Sequence, residues 1–305
     1  MSAVQALLTP EAASLGFIGI GAMGSRLARR LREHGYTLAV YDRNAPKAEA
    51  LLPYGIAVVE SLAGLAAHVD VILSCLTDDD AVRTVYLAEK GVLASAPAGT
   101  LVLEMSTIAP STSRELHAEG AARGIQVMDV AISGSTTAVE TGTITLLAGG
   151  DAELFEAAEP IFRALAAHYF LMGPSGSGVS MKLVVNTLLG VGMQAIAEAI
   201  TLGESEGINR KRLLEVLSQT AVVAPAHAGK LARAERDDYS PQFAIGLMNK
   251  DFRLILEAAK SSNVALPATT AAFELNSAAF EEDPDADLSS VIRYMERFAE
   301  RQVSK

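Results

Sequence analysis

The chain has 305 residues, half of them apolar, and 36 Asp+Glu outweigh 25 Lys+Arg to give a net charge of -11. That length suits about two domains with sizeable cores, and the acidic balance, with no basic run to interrupt it, argues against a nucleic-acid partner. The single cysteine, Cys75, leaves no internal disulfide framework and fits a reducing cytoplasm, while the first residues lack the basic start and apolar length of a signal peptide.

Residues 1–13 read as a loose leader. Leu15 to Gly19 is a short apolar strand, Gly19-Ile20-Gly21-Ala22-Met23-Gly24 a glycine turn, and Ser25 to His34 a helical pattern closed by Gly35. This is G-x-G-x-x-G between a strand and a helix, the context in which it carries meaning. Gly19 permits the tight turn, Gly21 lets the backbone approach a pyrophosphate, and Gly24 lets helix and strand pack closely. The pyrophosphate then rests on the helix N-terminus, against the turn that includes Ile20 and Met23. A second strand, Thr37 to Tyr41, ends at Asp42, 23 residues after Gly19. A carboxylate there is placed for the ribose hydroxyls of NAD, whereas the adjoining Arg43 suits a 2′-phosphate or an adenine face, and Asn44 completes this cofactor-binding run. NAD and NADP both remain open.

The alternation continues with strands at 56–59, 69–76, 100–105, 125–132, 143–148 and 169–172, and helical patterns at 61–67, 78–87 and 153–165. Strands alternating with helices predict a Rossmann-type, doubly wound parallel sheet, whose ligands bind beyond the carboxyl ends of the strands. Leu76-Thr77 and Ser106-Thr107 lie at two such ends, with Thr107 offering a hydroxyl near the expected nicotinamide. Ser133-Gly134-Ser135 lies at a third, a polar turn able to hold a carboxylate. Cys75 reads as a small buried hydrophobe. The first domain is expected to span residues 1–172 and an all-helical second domain residues 173–305.

The two are joined by a long helix opening at Gly173-Pro174 and running to about Glu206. It is apolar on every side, so burial all round is expected. Asn186, Gln194 and Glu198 make it a poor membrane span. Lys182 and Asn186 are four apart on one face of its first turns. Burial and the helix N-terminus both disfavour the charged lysine, which suits it to acid–base work. Helical patterns follow at 210–220, at 245–260 and from Asp287 to about Arg301. The five histidines are scattered without metal-ligand spacing, and no metal site is expected.

Five motifs stand in order: Gly16 to Gly24, Glu104 to Pro110, Asp129 to Gly134, Gly178 to Asn186, and Asn249-Lys250-Asp251. Together they resemble the β-hydroxyacid dehydrogenases, the 3-hydroxyisobutyrate dehydrogenase family, over nearly everything from Leu15 to Arg301. Ser133-Gly134-Ser135 is closest in pattern to the glyoxylate and succinic semialdehyde reductases of that family. The resemblance implies that Lys182 is the catalytic residue, that Asn186 helps place the substrate, that Ser133 and Gly134 bind its carboxylate, and that Lys250 reaches the cofactor. It departs at Ser135, which replaces a second glycine, at Thr77, where a proline is usual, and at Asp42, where NADP-using members often carry asparagine. The implied activity is the NAD- or NADP-dependent interconversion of a small hydroxy acid and its semialdehyde by a cytoplasmic homodimer or homotetramer. An imine reductase on the same fold and a non-enzymatic dinucleotide sensor are the alternatives. Lys182 speaks against the first, and the combination of Lys182, Asn186 and the Ser133 turn against the second.

Overall fold

The computed structural model describes residues 8–303. Residues 1–7 of the predicted leader lie outside that range. The remainder is not loose: Leu8 is buried, and its carbonyl accepts the Tyr36 hydroxyl at 3.0 Å. A short apolar segment can close the bottom of a core when its backbone finds such a partner.

The chain divides into two compact units, Met1–Lys182 and Leu183–Lys305. In the first, β1 (Ser14–Ile18), β2 (Thr37–Tyr41), β3 (Ala57–Val58), β4 (Val71–Ser74), β5 (Leu101–Glu104), β6 (Gln126–Ser133), β7 (Ile144–Gly149) and β8 (Ala166–Leu171) form one sheet. Its order is β3-β2-β1-β4-β5-β6-β7-β8. Every neighbouring pair is parallel except β6 and β7, which run antiparallel. The connection between those two, residues 134–143, is shorter than the dozen or so that a parallel crossover needs. The predicted doubly wound sheet is therefore mostly, not wholly, parallel.

Helices cover both faces: α1 (Ala22–Glu33), α2 (Ala45–Glu49), α3 (Leu62–Ala66), α4 (Asp79–Leu87), α5 (Val92–Ser95), α6 (Pro110–Ala121), α7 (Thr136–Thr141), α8 (Ala152–Ala157) and α9 (Glu159–Leu165). Successive strand residues feed opposite cores. Phe17, Leu73 and Leu103 join Leu27 and Leu31 of α1 on one side, while Ile18, Ile72 and Val102 join Tyr86 of α4 and Leu116 of α6 on the other. Burial on both faces explains why these strands read as unbroken apolar runs.

The remaining helices are α10 (Ser177–Ser205), α11 (Arg210–Ser218), α12 (Pro225–Ala234), α13 (Ile245–Ser261), α14 (Pro267–Glu282) and α15 (Val291–Val303). In the second unit the Lys230 ammonium of α12 lies 2.6 Å and 2.8 Å from the two oxygens of Asp287. The same carboxylate accepts the backbone N–H groups of Gln242, Phe243 and Ser289. Burial alone raises such a carboxyl, but the Lys230 charge and these donors hold it below its ordinary value. The expectation for α10 needs correction. Val184, Leu188 and Leu202 are 55%, 73% and 63% exposed, so the helix presents an apolar stripe to solvent within the single chain.

Candidate active site

Strands β1, β2, β4, β5 and β6 run in one direction, so the glycine turn, Asp42, Leu76, Thr107 and Ser133 all emerge at one edge of the sheet in the first unit. The turn is built for close approach. Gly19 sits at φ +89°, and a Cβ on Gly24 would collide with the Gly19 carbonyl oxygen. Gly21 is the N-cap of α1, brings no capping side chain, and has open space where its Cβ would be. The first N–H groups of α1 thus face a space that an anion fits. Ile20 is buried, and Met23 packs against the same core. These features fit a dinucleotide pyrophosphate.

Asp42 is anchored. Its Oδ2 accepts the Ile20 N–H at 2.7 Å and its Oδ1 the Asn44 N–H at 2.8 Å. The carboxylate therefore ties the end of β2 to the glycine turn while standing where ribose hydroxyls are expected. Arg43 and Asn44 are exposed beside it.

Two further strand ends are joined by a buried polar chain that motif reading missed. The Leu76 N–H donates to Ser106 Oγ at 2.7 Å, and the Ser106 N–H donates to Glu104 Oε1 at 3.0 Å. The Tyr86 hydroxyl donates to Ser74 Oγ at 2.7 Å, and Ser74 in turn donates to Glu104 at 3.4 Å. Glu104 Oε2 has no hydrogen-bond partner among the described residues. Burial pushes the Glu104 carboxyl up to about 7, with the Ser106 hydrogen bonds opposing the rise and the Asp129 charge adding to it. Thr77 is exposed, and its hydroxyl donates to the Asp78 carboxylate that caps α4.

At the end of β6, Ser133 is partly buried and Gly134 is exposed. Ser135 is the N-cap of α7, its hydroxyl accepting the Ala138 N–H at 3.2 Å. The residue that departs from the family pattern is thus engaged as a helix cap. Lys182 lies in the first turns of α10, partly buried, at the end of the first unit.

The second unit holds Asn186 and Lys250. Asn186 is 1% exposed, and its amide nitrogen donates to Asp251 Oδ2 at 2.6 Å. Lys250 Nζ lies 3.2 Å from Asp251 Oδ1. Asp251 therefore organises both predicted residues. An acid inside an apolar strand (Glu104, Asp129) or at the buried face of a helix (Asp251) is a visible sequence signal, since burial of such a group demands partners.

The chain matches the family described as the NAD binding domain of 6-phosphogluconate dehydrogenase over residues 14–173. It matches the NAD-binding family of NADP-dependent 3-hydroxyisobutyrate dehydrogenase over residues 176–295. It is 37% identical to an NAD-dependent L-serine dehydrogenase of Pseudomonas aeruginosa, across 86% of this chain and 90% of that protein. It is 31% identical to glyoxylate/succinic semialdehyde reductase 1 of Arabidopsis thaliana, across 85% of this chain and 90% of that one. Among solved structures, 3-hydroxyisobutyrate dehydrogenase of Mycobacterium tuberculosis with L-serine superposes with a TM-score of 0.83 at 28% identity, covering 92% of this chain and 98% of that one.

Proposed function

Since the chain belongs to the 3-hydroxyisobutyrate dehydrogenase family of NAD(P)-dependent hydroxyacid dehydrogenases, we propose that it interconverts a small 3-hydroxy or ω-hydroxy carboxylic acid and its semialdehyde, with Lys182 as proton donor and acceptor. The nicotinamide cofactor supplies the hydride in reduction and takes it up in oxidation. The glycine turn and the α1 N-terminus hold its pyrophosphate, Asp42 its ribose, and the Leu76 and Thr107 strand ends its nicotinamide. Lys250, whose ammonium lies beside Asp251, is the residue assigned to the cofactor by the family resemblance.

The substrate carboxylate is held by Ser133 and Gly134, and Asn186, oriented by Asp251, fixes the rest of the small molecule. In reduction Lys182 donates a proton to the carbonyl oxygen; in oxidation it accepts the hydroxyl proton. Holding the reacting atoms in this arrangement and supplying the proton are the two contributions the protein makes, the second typically worth ~10²–10⁴-fold. The observation that carries the reading is a lysine near the start of α10 in a chain whose sheet edge is shaped for a dinucleotide.

The test is a panel of glyoxylate, succinic semialdehyde, 3-hydroxyisobutyrate and L-serine, each run with NAD(H) and NADP(H). Turnover of at least one with wild-type enzyme, lost in Lys182→Ala without loss of cofactor binding, is the expected result. Cofactor binding with no turnover across the panel would instead favour the dinucleotide-sensor alternative.

A further inference from the structure

Asp129 sits in the middle of β6 and is 1% exposed. Its Oδ1 accepts the Gly176 N–H at 2.7 Å and its Oδ2 the Val179 N–H at 2.8 Å. The Ser113 hydroxyl of α6 is a third donor to the same carboxylate. Gly176 immediately precedes α10 and Val179 lies in its first turn, where backbone donors have no partner within the helix. A helix is ordinarily capped by the residue next to it in sequence. Here the cap comes from a strand 47 and 50 residues earlier.

Two glycines make room for this contact. A Cβ on Gly149 of β7 would lie 2.7 Å from Asp129 Oδ1 and 2.8 Å from the Gly178 nitrogen. A Cβ on Gly178 would collide with the Leu147 carbonyl oxygen and fall 2.8 Å from Asp129 Oδ2. Backbone therefore meets backbone with a buried carboxylate between them, and α10 enters at a fixed place on the sheet.

Asp129 and Ser133 also share β6, four residues apart and so on one face of the strand. One rigid strand thus sets both the turn assigned to the substrate carboxylate and the start of the helix that carries Lys182. The geometry points to Asp129 as a positioning residue: by holding the first turn of α10 to β6, it fixes the amine of Lys182 relative to the Ser133-Gly134 turn. The inference rests on the proton-donor reading of Lys182. It adds that register between helix and sheet, and not lysine chemistry alone, sets the rate. A misplacement of about 1 Å can cost ~10²-fold in turnover.

The variant Asp129→Asn keeps the size of the side chain but turns one acceptor oxygen into a donor facing a backbone N–H. It is to be compared with wild type and Lys182→Met in three measurements: NAD(P)H affinity by fluorescence, kcat per cofactor-binding site, and hydrogen exchange at the Gly176 and Val179 amides. The expected result is cofactor affinity within about threefold of wild type, kcat lower by roughly 10²-fold, and faster exchange at both amides. A kcat within about threefold of wild type despite faster exchange overturns the inference, provided Lys182→Met has lost turnover; the proton-donor reading then survives alone. Full turnover in Lys182→Met overturns both. A loss in Asp129→Asn that merely tracks the lost cofactor-binding sites marks a structural role and also overturns the inference. If Asp129→Asn does not fold, Gly149→Ala decides, since its Cβ would press on both Asp129 Oδ1 and the Gly178 nitrogen and so loosen this contact: a fall in kcat of about tenfold or more at unchanged cofactor affinity supports the inference, and an unchanged kcat refutes it.

Discussion

Three residues carry predictions of their own. If Lys182 is the proton donor, Lys182→Met keeps the fold and cofactor binding, because methionine fills similar apolar volume, while kcat falls by orders of magnitude. Lys182→Arg fails almost as badly, since a guanidinium does not release its proton near neutral pH; near-normal turnover of that variant would sink the mechanism. Glu104 predicts a pH dependence of stability. Its folded value of about 7 lies above the ordinary 4.5, so the folded state holds the proton more tightly than the unfolded one. Its contribution is complete below about pH 4.5 and is lost as pH rises through 7, a change of about 3 kcal/mol at ~1.4 kcal/mol per pH unit. Glu104→Gln therefore flattens the fall in thermal midpoint between pH 5.5 and 8; an identical fall in both proteins would show that Glu104 does not titrate there. Asp42 and Arg43 oppose one another, so both NADH and NADPH are expected to bind, with a ratio of affinities below about 100-fold, or ~3 kcal/mol. Because the Asp42 carboxylate also holds the Ile20 N–H, Asp42→Asn is expected to weaken NADH while moving the ratio toward NADPH. Paired fluorescence titrations decide it, and an unmoved ratio would remove Asp42 from cofactor selection.

At the scale of elements, what was legible in the sequence was what is local in the chain. The glycine turn is written in three residues, and its context in the strand and helix on either side, so β1, α1 and Asp42 follow from pattern alone. The burial of parallel strands on both faces makes them unbroken apolar runs that are hard to miss. Helix α6 is harder to read: Pro110 opens it, but Ser111, Thr112 and Ser113 are residues that favour caps and turns, and only its packing against β6 makes it a helix. The antiparallel reversal at β7 depends on the length of one connection, not on composition. The contacts that assemble the site are the least legible of all. Asp129 meets α10 and Glu104 meets Ser74 across gaps of 47 and 30 residues, and no local pattern records such partners. A buried acid in an apolar strand announces that a partner exists without saying which. The glycine turn supplies a direct check on its own element. Because a Cβ at Gly24 has backbone, not a flexible side chain, in its way, Gly24→Val is expected to weaken both cofactors by at least tenfold, read as NADH and NADPH affinities on protein whose thermal midpoint shows it folded.

For the whole molecule, the exposed stripe on α10 is the feature that a single chain leaves unexplained. Val184, Leu188, Ala195, Ala199 and Leu202 are all exposed and recur at steps of three, four and seven, so they lie along one side of the helix. The sequence pattern, apolar all round, asks for neighbours on every side; the isolated chain provides them on part of the circumference only. Apolar surface of this regularity on a chain of net charge -11 leads us to propose that another chain covers it. A second copy presenting the same stripe satisfies it with two-fold symmetry, the commonest arrangement for soluble oligomers. The expected outcome is a homodimer or homotetramer, with sedimentation giving a multiple of the 32.0 kDa chain mass at micromolar concentration. Leu188→Glu, which places a charge at the most exposed apolar position of that stripe, is expected to shift the distribution toward the single chain while leaving the secondary structure, read by circular dichroism, intact. Wild-type protein sedimenting only at the single-chain mass would refute the assembly, and a Leu188→Glu variant assembling as well as wild type would place the interface elsewhere.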